Sequence, residues 1–177
     1  MEKKILNDFC FHKPKTLDEA LVLIDKYQEN GLLMEGGSEV IPNMKSLVVT
    51  PDHIISLKHI PEFDYITYTP GKGLHIGPSC TLTKVEYDPD VQTVYPSLYM
   101  GVHGMSNTNI HNISTVTGNI CYAVPSADTA APLLTLNAEL SVKSVDGERK
   151  VPITELFAGV RRTTLKKNEI VTDIFVP

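Results

Sequence analysis

Two short polar stretches of this 177-residue chain carry the residue types that could bind a phosphate-bearing ligand. The first is Glu35-Gly36-Gly37-Ser38-Glu39, directly after the apolar residues Leu32-Leu33-Met34. The second is Thr115-Val116-Thr117-Gly118-Asn119, which continues through small residues to Asp128. Glycines let backbone N–H groups approach a ligand closely, and hydroxyls add further donors, so both stretches suit an anion. For the first stretch, a tight turn without any ligand is the competing interpretation.

The second stretch leads into a predicted helix. Ser126 and Asp128 are both favourable N-cap types, and an apolar run begins at Leu133. The N-terminus of a helix presents free N–H groups, which adds to the suitability of the region for an anion. The sequence leaves it open whether Asp128 is only a cap or also contacts a ligand. Cys121, in the same run, is interpreted as a buried structural thiol.

The composition is that of an ordinary globular chain, with 42% apolar and 21% charged residues. A net charge of −5 predicts no nucleic-acid surface, and no apolar run reaches the roughly 20 residues that a membrane span needs. Residues 1–8 contain no apolar segment of the kind found in signal peptides. The widely spaced Cys10, Cys80 and Cys121 predict a reduced, cytoplasmic protein without disulfides and without a local metal or iron–sulfur site.

The spacing of apolar residues predicts both helices and strands. Thr16 and Glu19 have the spacing of a capping box, and apolar residues then recur at helical intervals, which predicts a helix over residues 17–29. Further helices are predicted at residues 82–85 and 96–105, with a loop at residues 106–112 between the second of these and the second stretch. Short apolar or alternating runs predict strands at residues 32–34, 48–49, 53–57, 66–68, 74–77, 139–145 and 169–176. Turn residues at 70–73 and at Asp146-Gly147 predict hairpins.

With their flanks, the two stretches resemble the FAD-binding subunit of the molybdenum hydroxylases, the group of xanthine dehydrogenase and carbon monoxide dehydrogenase. The family usually has a Gly-Gly-Thr-Asp type of loop, an apolar pair and Met-Lys where this chain runs from Gly36 to Lys45. It usually has Ile-Arg-Asn, Thr-x-Gly-Gly-Asn and Ser-x-Ala-Asp-Thr-Ala where this chain runs from Ile110 to Ala130. The resemblance covers nearly the whole chain in order, and two such motifs at the right separation are far more specific than one.

The resemblance implies that the two stretches hold the pyrophosphate of FAD through backbone N–H groups and hydroxyls. The implied cofactor residues of the first stretch are Leu33, Met34, Glu35, Gly36, Gly37, Ser38, Glu39 and Val40. Those of the second are Thr115, Thr117, Gly118 and Asn119, with Asp128 bound to the polyol chain of the cofactor. Oriented amides can hold the roughly two negative charges of a pyrophosphate without lysines. No residue is assigned a catalytic or a metal-ligating role.

The chain departs from the family pattern at several positions. Thr117 replaces the first glycine of Gly-Gly-Asn, so it is either strained by a positive φ or turns its hydroxyl toward the phosphate. His111 replaces the usual arginine, which is expected to weaken the fixed positive charge near the second stretch. No histidine has a carboxylate partner visible in the sequence. Tyr122 stands where smaller or hydroxylated side chains are usual.

The expected fold is α+β, a two-subdomain FAD-binding domain of the molybdenum hydroxylase flavoprotein type with FAD in the cleft between the subdomains. The small N-terminal FAD-binding subdomain is predicted over residues 1–60, and the larger one, a mixed sheet flanked by helices, over residues 61–177. The usual C-terminal flavoprotein domain is absent from the sequence, which predicts either a fragment or a genuinely short subunit.

The resemblance implies an electron-transfer subunit of a molybdenum-dependent hydroxylase or dehydrogenase. Electrons would pass from a molybdopterin-binding large subunit and a [2Fe–2S] small subunit through FAD to NAD or another acceptor. The chain would not act alone on the hydroxylated substrate. Two other hypotheses stay open: a non-catalytic assembly module that has lost FAD binding, and a self-contained flavoenzyme such as the enolpyruvyl-sugar reductases. The second of these needs a substrate domain, for which the chain has no room.

Overall fold

The structure is a computed structural model that describes residues 6–177. Residues 1–5, which begin both the predicted first subdomain and the segment judged not to be a signal peptide, lie outside the described residues. The strands are β1 Cys10–His12, β2 Gly31–Met34, β3 His53–Ser56, β4 Ile66–Thr69, β5 Gly73–Ile76, β6 Glu139–Ser144, β7 Gly147–Pro152, β8 Phe157–Gly159, β9 Arg162–Thr163 and β10 Ile170–Val176. The helices are α1 Leu17–Lys26, α2 Val40–Lys45, α3 Leu82–Tyr87, α4 Pro89–Val94, α5 Pro96–His103, α6 Thr108–His111, α7 Val116–Tyr122, α8 Ala130–Thr135 and α9 Ile153–Leu156.

The first sheet has three parallel strands in the order β1-β3-β2, and α1 packs against it. The predicted cap of α1 is confirmed: Thr16 Oγ1 accepts from Glu19 N at 3.2 Å, and Glu19 Oε2 accepts from Lys15 N at 2.7 Å. The helix ends at Lys26 rather than at residue 29. Its buried residues contact those of β3 and of the 3₁₀ turn after it, namely Ala20, Leu21, Ile24, Ile55 and Leu57.

The predicted strand at residues 48–49 is wrong. Those residues follow the end of α2, where Val48 N donates to Asn43 O at 2.9 Å. The Val48 side chain is 59% exposed, and the described residues offer it no neighbouring strand. An apolar pair without a ladder partner and without burial lacks what makes a strand stable.

The second sheet has five strands in the order β4-β5-β10-β6-β7. Every neighbouring pair is antiparallel, so the predicted mixed sheet is wrong for the described part of the chain. Both predicted hairpins, β4–β5 and β6–β7, are confirmed; in the second, Gly147 has a φ of 142°. Hairpin connections join antiparallel neighbours, which explains why the sheet has this form.

Six helices, α3, α4, α5, α7, α8 and α9, contribute to one large core with the five-stranded sheet. The core joins Leu74, Ile76, Leu140 and Ile174 of the sheet to Leu82, Val85, Leu98, Val116, Ile120 and Leu133 of the helices. The predicted loop at residues 106–112 contains α6, whose first turn is capped by Asn107 Oδ1 accepting from Asn109 N and Ile110 N. The predicted helix at residues 96–105 is confirmed as α5 but ends at His103. Within residues 6–177 no helix is long and apolar enough to cross a membrane.

Candidate functional site

The two predicted stretches meet in the folded chain. Glu35 to Glu39 follows the carboxyl end of β2 and enters α2, and Thr115 directly precedes α7. A Cβ atom added to Gly36 would overlap the carbonyl oxygen of Ile113, so the two backbones are in contact. Ser114 Oγ donates to Ser38 Oγ at 2.8 Å across the same junction. Gly36 is therefore required by the close approach of the second stretch.

The second stretch is the start of a helix rather than a loop. Thr115 is the N-cap residue of α7, and its Oγ1 accepts from Gly118 N at 3.0 Å. Residues 116–122 are helical, so Thr117 and Gly118 have ordinary negative φ values. The predicted strain at Thr117 is absent for the same reason, because a helical φ is open to threonine.

Two polar side chains of the second stretch differ in their hydrogen bonding: that of Asn119 is hydrogen-bonded within the protein, and that of Thr117 is not. Asn119 Oδ1 accepts from Thr129 Oγ1 at 2.5 Å and from Thr129 N at 3.4 Å, which fixes the start of α7 to the start of α8. Thr117 is only 6% exposed, and its hydroxyl oxygen has no hydrogen-bond partner. A buried hydroxyl without a hydrogen-bond partner is unfavourable, and such groups are rare in folded proteins. Among the described residues, the Thr117 hydroxyl is such a group.

Glu35 is the second such residue. Its Oε2 accepts from Ser79 Oγ at 2.7 Å, whereas its Oε1 is buried and has no partner. Burial raises the pKa of the Glu35 carboxyl to about 7, with a further increase from Asp64 and opposing decreases from the Ser79 hydrogen bond and from Lys58. In the part of the chain that the structure describes, Glu35 Oε1 and Thr117 Oγ1 are the buried side-chain polar atoms left without a partner. Both lie in the two predicted stretches.

The remaining residues of the first stretch are placed around this junction. Leu33 and Met34 end β2, and Val40 begins α2. Gly37 has a φ of 74°, which glycine adopts without strain. Glu39 is exposed and precedes α2 without a capping hydrogen bond from its side chain.

Asp128 does not cap a helix. The N-cap position of α8 is taken by Thr129, and no side chain there makes a capping hydrogen bond. Ser126 and Asp128 are both exposed. The predicted capping role is therefore wrong for both residues, and the predicted contact of Asp128 with the cofactor remains a prediction.

Tyr122 connects the two helices that follow the two stretches. Asn43 Nδ2, on α2, donates to Tyr122 Oη, on α7, at 3.1 Å. The guanidinium of Arg161 lies 5.2 Å from the centroid of the Tyr122 ring. The larger side chain noted as a departure from the family thus acts as a bridge, with a cation over its face.

His111, which replaces the usual arginine, is buried between a carboxylate and a carbonyl. Its Nδ1 lies 2.8 Å from Glu86 Oε2, and its Nε2 lies 2.6 Å from the carbonyl oxygen of Met105. The ring is thus held on both sides by oxygen atoms, and the expected weakening of the positive charge near the second stretch stays a prediction. Hydrogen bonds from His103 and His111 hold the pKa of Glu86 below its usual value. This pair could not be predicted from residue spacing, because Glu86 and His111 lie on different helices.

Sequence reasoning also missed Ser79 and Ser114. Ser79 follows β5 and contacts Glu35 from 44 positions away, and Ser114 contacts Ser38 from 76 positions away. Ser79 belongs to neither motif, and Ser114 lies within the range of the second motif at a position to which no role was assigned. Only the register of the folded chain brings them to the first stretch.

The comparison with known families identifies the domain. The family described as the FAD binding domain in molybdopterin dehydrogenase matches residues 7–177. The chain belongs to this family. FAD is therefore the cofactor of the domain.

Relatives of this FAD-binding domain are subunits of several dehydrogenases. The chain is 31% identical over 172 residues to the xanthine dehydrogenase FAD-binding subunit of Escherichia coli O157:H7, covering 96% of this chain and 58% of the relative. It is 29% identical over 175 residues to the nicotinate dehydrogenase FAD-subunit of Eubacterium barkeri, covering 97% of this chain and 59% of the relative. The chain thus spans about three fifths of the length of these relatives.

The fold of this FAD-binding domain matches a solved structure. A chain of carbon monoxide dehydrogenase from Hydrogenophaga pseudoflava superimposes with a TM-score of 0.94 and 29% identity. The superposition covers 98% of this chain and 60% of that one. The predicted α+β fold of the molybdenum hydroxylase flavoprotein type is confirmed by this match.

The residues present fit a cofactor that carries a pyrophosphate. Backbone and hydroxyl groups of both stretches converge at Gly36, Ser38 and Ser114, and Thr117 has an unused buried hydroxyl. Such donors are suited to phosphate oxygens. No group of three or more histidine, cysteine or acidic residues that could hold a metal occurs among residues 6–177.

Proposed function

We propose that this chain holds the pyrophosphate of FAD at the junction between Glu35–Val40 and the start of α7. The observation that supports the proposal is the position of the two unpartnered buried oxygens, because Glu35 Oε1 and Thr117 Oγ1 lie on the two stretches that meet there. Pyrophosphate oxygens at this junction would accept from the Thr117 hydroxyl, and from the Glu35 carboxyl when that group is protonated. The cofactor would lie between a subdomain of residues 1–60 and one of residues 61–177.

The proposed roles follow from the free hydrogen-bonding capacity of each residue. The Ser38 hydroxyl accepts from Ser114 and still has its own proton to donate. The Thr115 hydroxyl likewise accepts from Gly118 N and can donate. We assign backbone contacts to residues 33–40, 118 and 119, hydroxyl contacts to Ser38, Thr115 and Thr117, and a contact with the polyol chain to Asp128. A carboxylate suits the hydroxyls of a polyol better than it suits a phosphate.

We further propose that the chain is the electron-transfer subunit of a multi-subunit enzyme. Bound FAD supplies the redox chemistry, and the protein supplies binding, orientation and shielding. The partners would be a molybdopterin-binding large subunit and a [2Fe–2S] small subunit, and the acceptor would be NAD or another oxidant. The relatives named as FAD-binding subunits and medium chains support this assignment. The chain alone would leave the hydroxylation substrate unchanged.

The test is FAD binding by the full chain. We expect flavin absorbance to co-elute with the protein after incubation with FAD and gel filtration. Gly36→Ala should abolish that binding, because its Cβ would overlap the Ile113 carbonyl and push the two stretches apart. Gly104→Ala is the matched control, because its added Cβ would meet no atom closer than 3.3 Å. A folded chain that stays colourless under excess FAD would contradict the proposal and favour a non-catalytic assembly module.

A further inference from the structure

Among residues 6–177, no positively charged group is in direct contact with the carboxyl group of Glu35. Its single hydrogen bond comes from Ser79 Oγ, a hydroxyl that also lies 3.4 Å from the carbonyl oxygen of Leu57. Its other oxygen, Oε1, is buried without a partner. One neutral hydrogen bond does not replace the hydration that a carboxylate loses on burial.

The charged and titratable groups around Glu35 come from three further elements. Lys58 lies in the 3₁₀ turn Leu57–His59, Asp64 follows the 3₁₀ turn Pro61–Phe63, and Cys121 lies on α7. Asp64 is paired with Lys84 Nζ at 2.5 Å. Lys58 is exposed, so its effect on Glu35 is screened by solvent.

Cys121 adds no positive charge to this group. Burial raises the pKa of its thiol to about 12, with a smaller contribution from Glu35, so the thiol is neutral near pH 7. The sum of these neighbours favours the protonated form of Glu35. A ligand that brings negative charge to the same stretch favours it further.

We propose that Glu35 is the proton-binding group of the FAD site: the chain takes up a proton at this carboxyl when FAD binds. The proposal rests on the proposed function, since it takes the pyrophosphate to lie at the stretch that begins with Glu35. The proton comes from solvent and converts the carboxylate to a carboxylic acid. The roughly two negative charges of the pyrophosphate then meet a neutral group instead of a third charge.

The expected pH dependence has a definite direction. In the free chain the pKa of Glu35 is raised to about 7 by burial, so the group is protonated below neutral pH and ionised above it. The number of protons that the chain takes up on binding FAD should therefore be close to zero at about pH 5 and about one at about pH 8. Above about pH 7 the affinity for FAD should fall by up to about tenfold for each unit of pH.

The experiment is calorimetric titration of the full chain with FAD in two buffers of different ionisation enthalpy. The dependence of the heat on the buffer gives the number of protons taken up. In Glu35→Gln the uptake at about pH 8 should vanish, and the affinity there should rise about tenfold over the unsubstituted chain. Glu155→Gln is the matched control, because Glu155 is exposed on α9 and carries the same charge. It should keep the full uptake.

A second measurement is independent of any substitution. Infrared difference spectra of the unsubstituted chain at about pH 8 should show the carbonyl stretch of a protonated carboxylic acid on addition of FAD. FAD binding without proton uptake, or uptake that persists in Glu35→Gln, would overturn this inference and leave FAD binding intact. Absence of FAD binding in the unsubstituted, folded chain would overturn the inference together with the proposed function.

Discussion

Glu169 and Glu35 both bury carboxylate oxygens, and the chain treats them in opposite ways. Glu169, at the start of β10, accepts from Arg149 Nε and Nη2 at 2.8 Å each and from Lys166 N at 2.7 Å. These contacts, the Arg149 hydrogen bond first, hold the pKa of the Glu169 carboxyl below its usual value. Glu35 has one hydrogen bond, from Ser79, and a pKa raised to about 7 by burial.

The difference separates a carboxylate that the fold satisfies from a carboxyl group that it leaves partly unsatisfied. At Glu169 every buried oxygen has a donor within the protein, so ionisation stabilises the fold. At Glu35 the buried carboxyl and the nearby stretch that contains Thr117 keep polar oxygens without partners. Incomplete satisfaction of this kind concentrates at functional sites, where a ligand or a proton completes it.

The largest expected effect comes from removing the arginine that pairs with Glu169. Arg149→Ala leaves the Glu169 carboxylate, only 5% exposed, without its bidentate cation. We expect a loss of about 3 kcal/mol in the free energy of unfolding, measured by urea titration at neutral pH. Lys143→Ala is the control, because the ion pair of Lys143 with Glu148 is exposed and should contribute under about 0.5 kcal/mol.

The stabilisation that Glu169 provides should also depend on pH in a definite direction. Because the folded pKa of Glu169 is below its unfolded value, its stabilisation is present above the unfolded pKa and is lost as pH falls through the folded pKa. Arg149→Ala should therefore cost much less stability in acid than at neutral pH. An equal loss at both would contradict the role assigned to the ion pair.

The second-largest expected effect is on stability and comes from replacing Glu35. The pKa of the Glu35 carboxyl is raised from about 4.5 in the unfolded chain to about 7 in the folded chain. Its contribution to the free energy of unfolding is therefore present below pH 4.5 and is lost as pH rises through about 7. Glu35→Gln should leave stability nearly unchanged at low pH and increase it by about 2 kcal/mol at about pH 8, as measured by urea titration without FAD. If the variant is less stable than the unsubstituted chain at the higher pH, the carboxylate is better satisfied than its contacts indicate.

The smallest effect concerns the unpartnered hydroxyl of Thr117. Thr117→Val keeps the shape of the side chain and removes a buried oxygen that has no partner. We expect the free chain to gain about 1 kcal/mol in stability and its affinity for FAD to fall about fivefold to tenfold. Thr93→Val tests the same exchange at an exposed hydroxyl that donates to Pro89 O, and it should leave FAD binding unchanged. Thr117→Val with unaltered affinity would remove Thr117 from the binding site.

Much of the local structure could be predicted from the sequence, because its causes are local. The cap at Thr16, the hairpins around residues 70–73 and at Asp146-Gly147, and the final strand depend on residues a few positions apart. The predictions that were wrong depended on distant partners. Among residues 6–177 the apolar pair at residues 48–49 has no neighbouring strand. The N-cap of α8 is Thr129, whose backbone N–H and hydroxyl donate to Asn119 of α7, instead of Asp128.

The candidate site shows the same division. The residue types of the two stretches, and hence their suitability for a phosphate-bearing cofactor, are properties of short segments and can be recognised without the structure. The state of Glu35 is a property of the assembled chain, because Ser79, Asp64 and Cys121 reach it from three other segments. The same is true of the His111 ring, which Glu86 and Met105 enclose. Charge and burial depend on which distant groups surround an atom, and those groups come together when the chain folds.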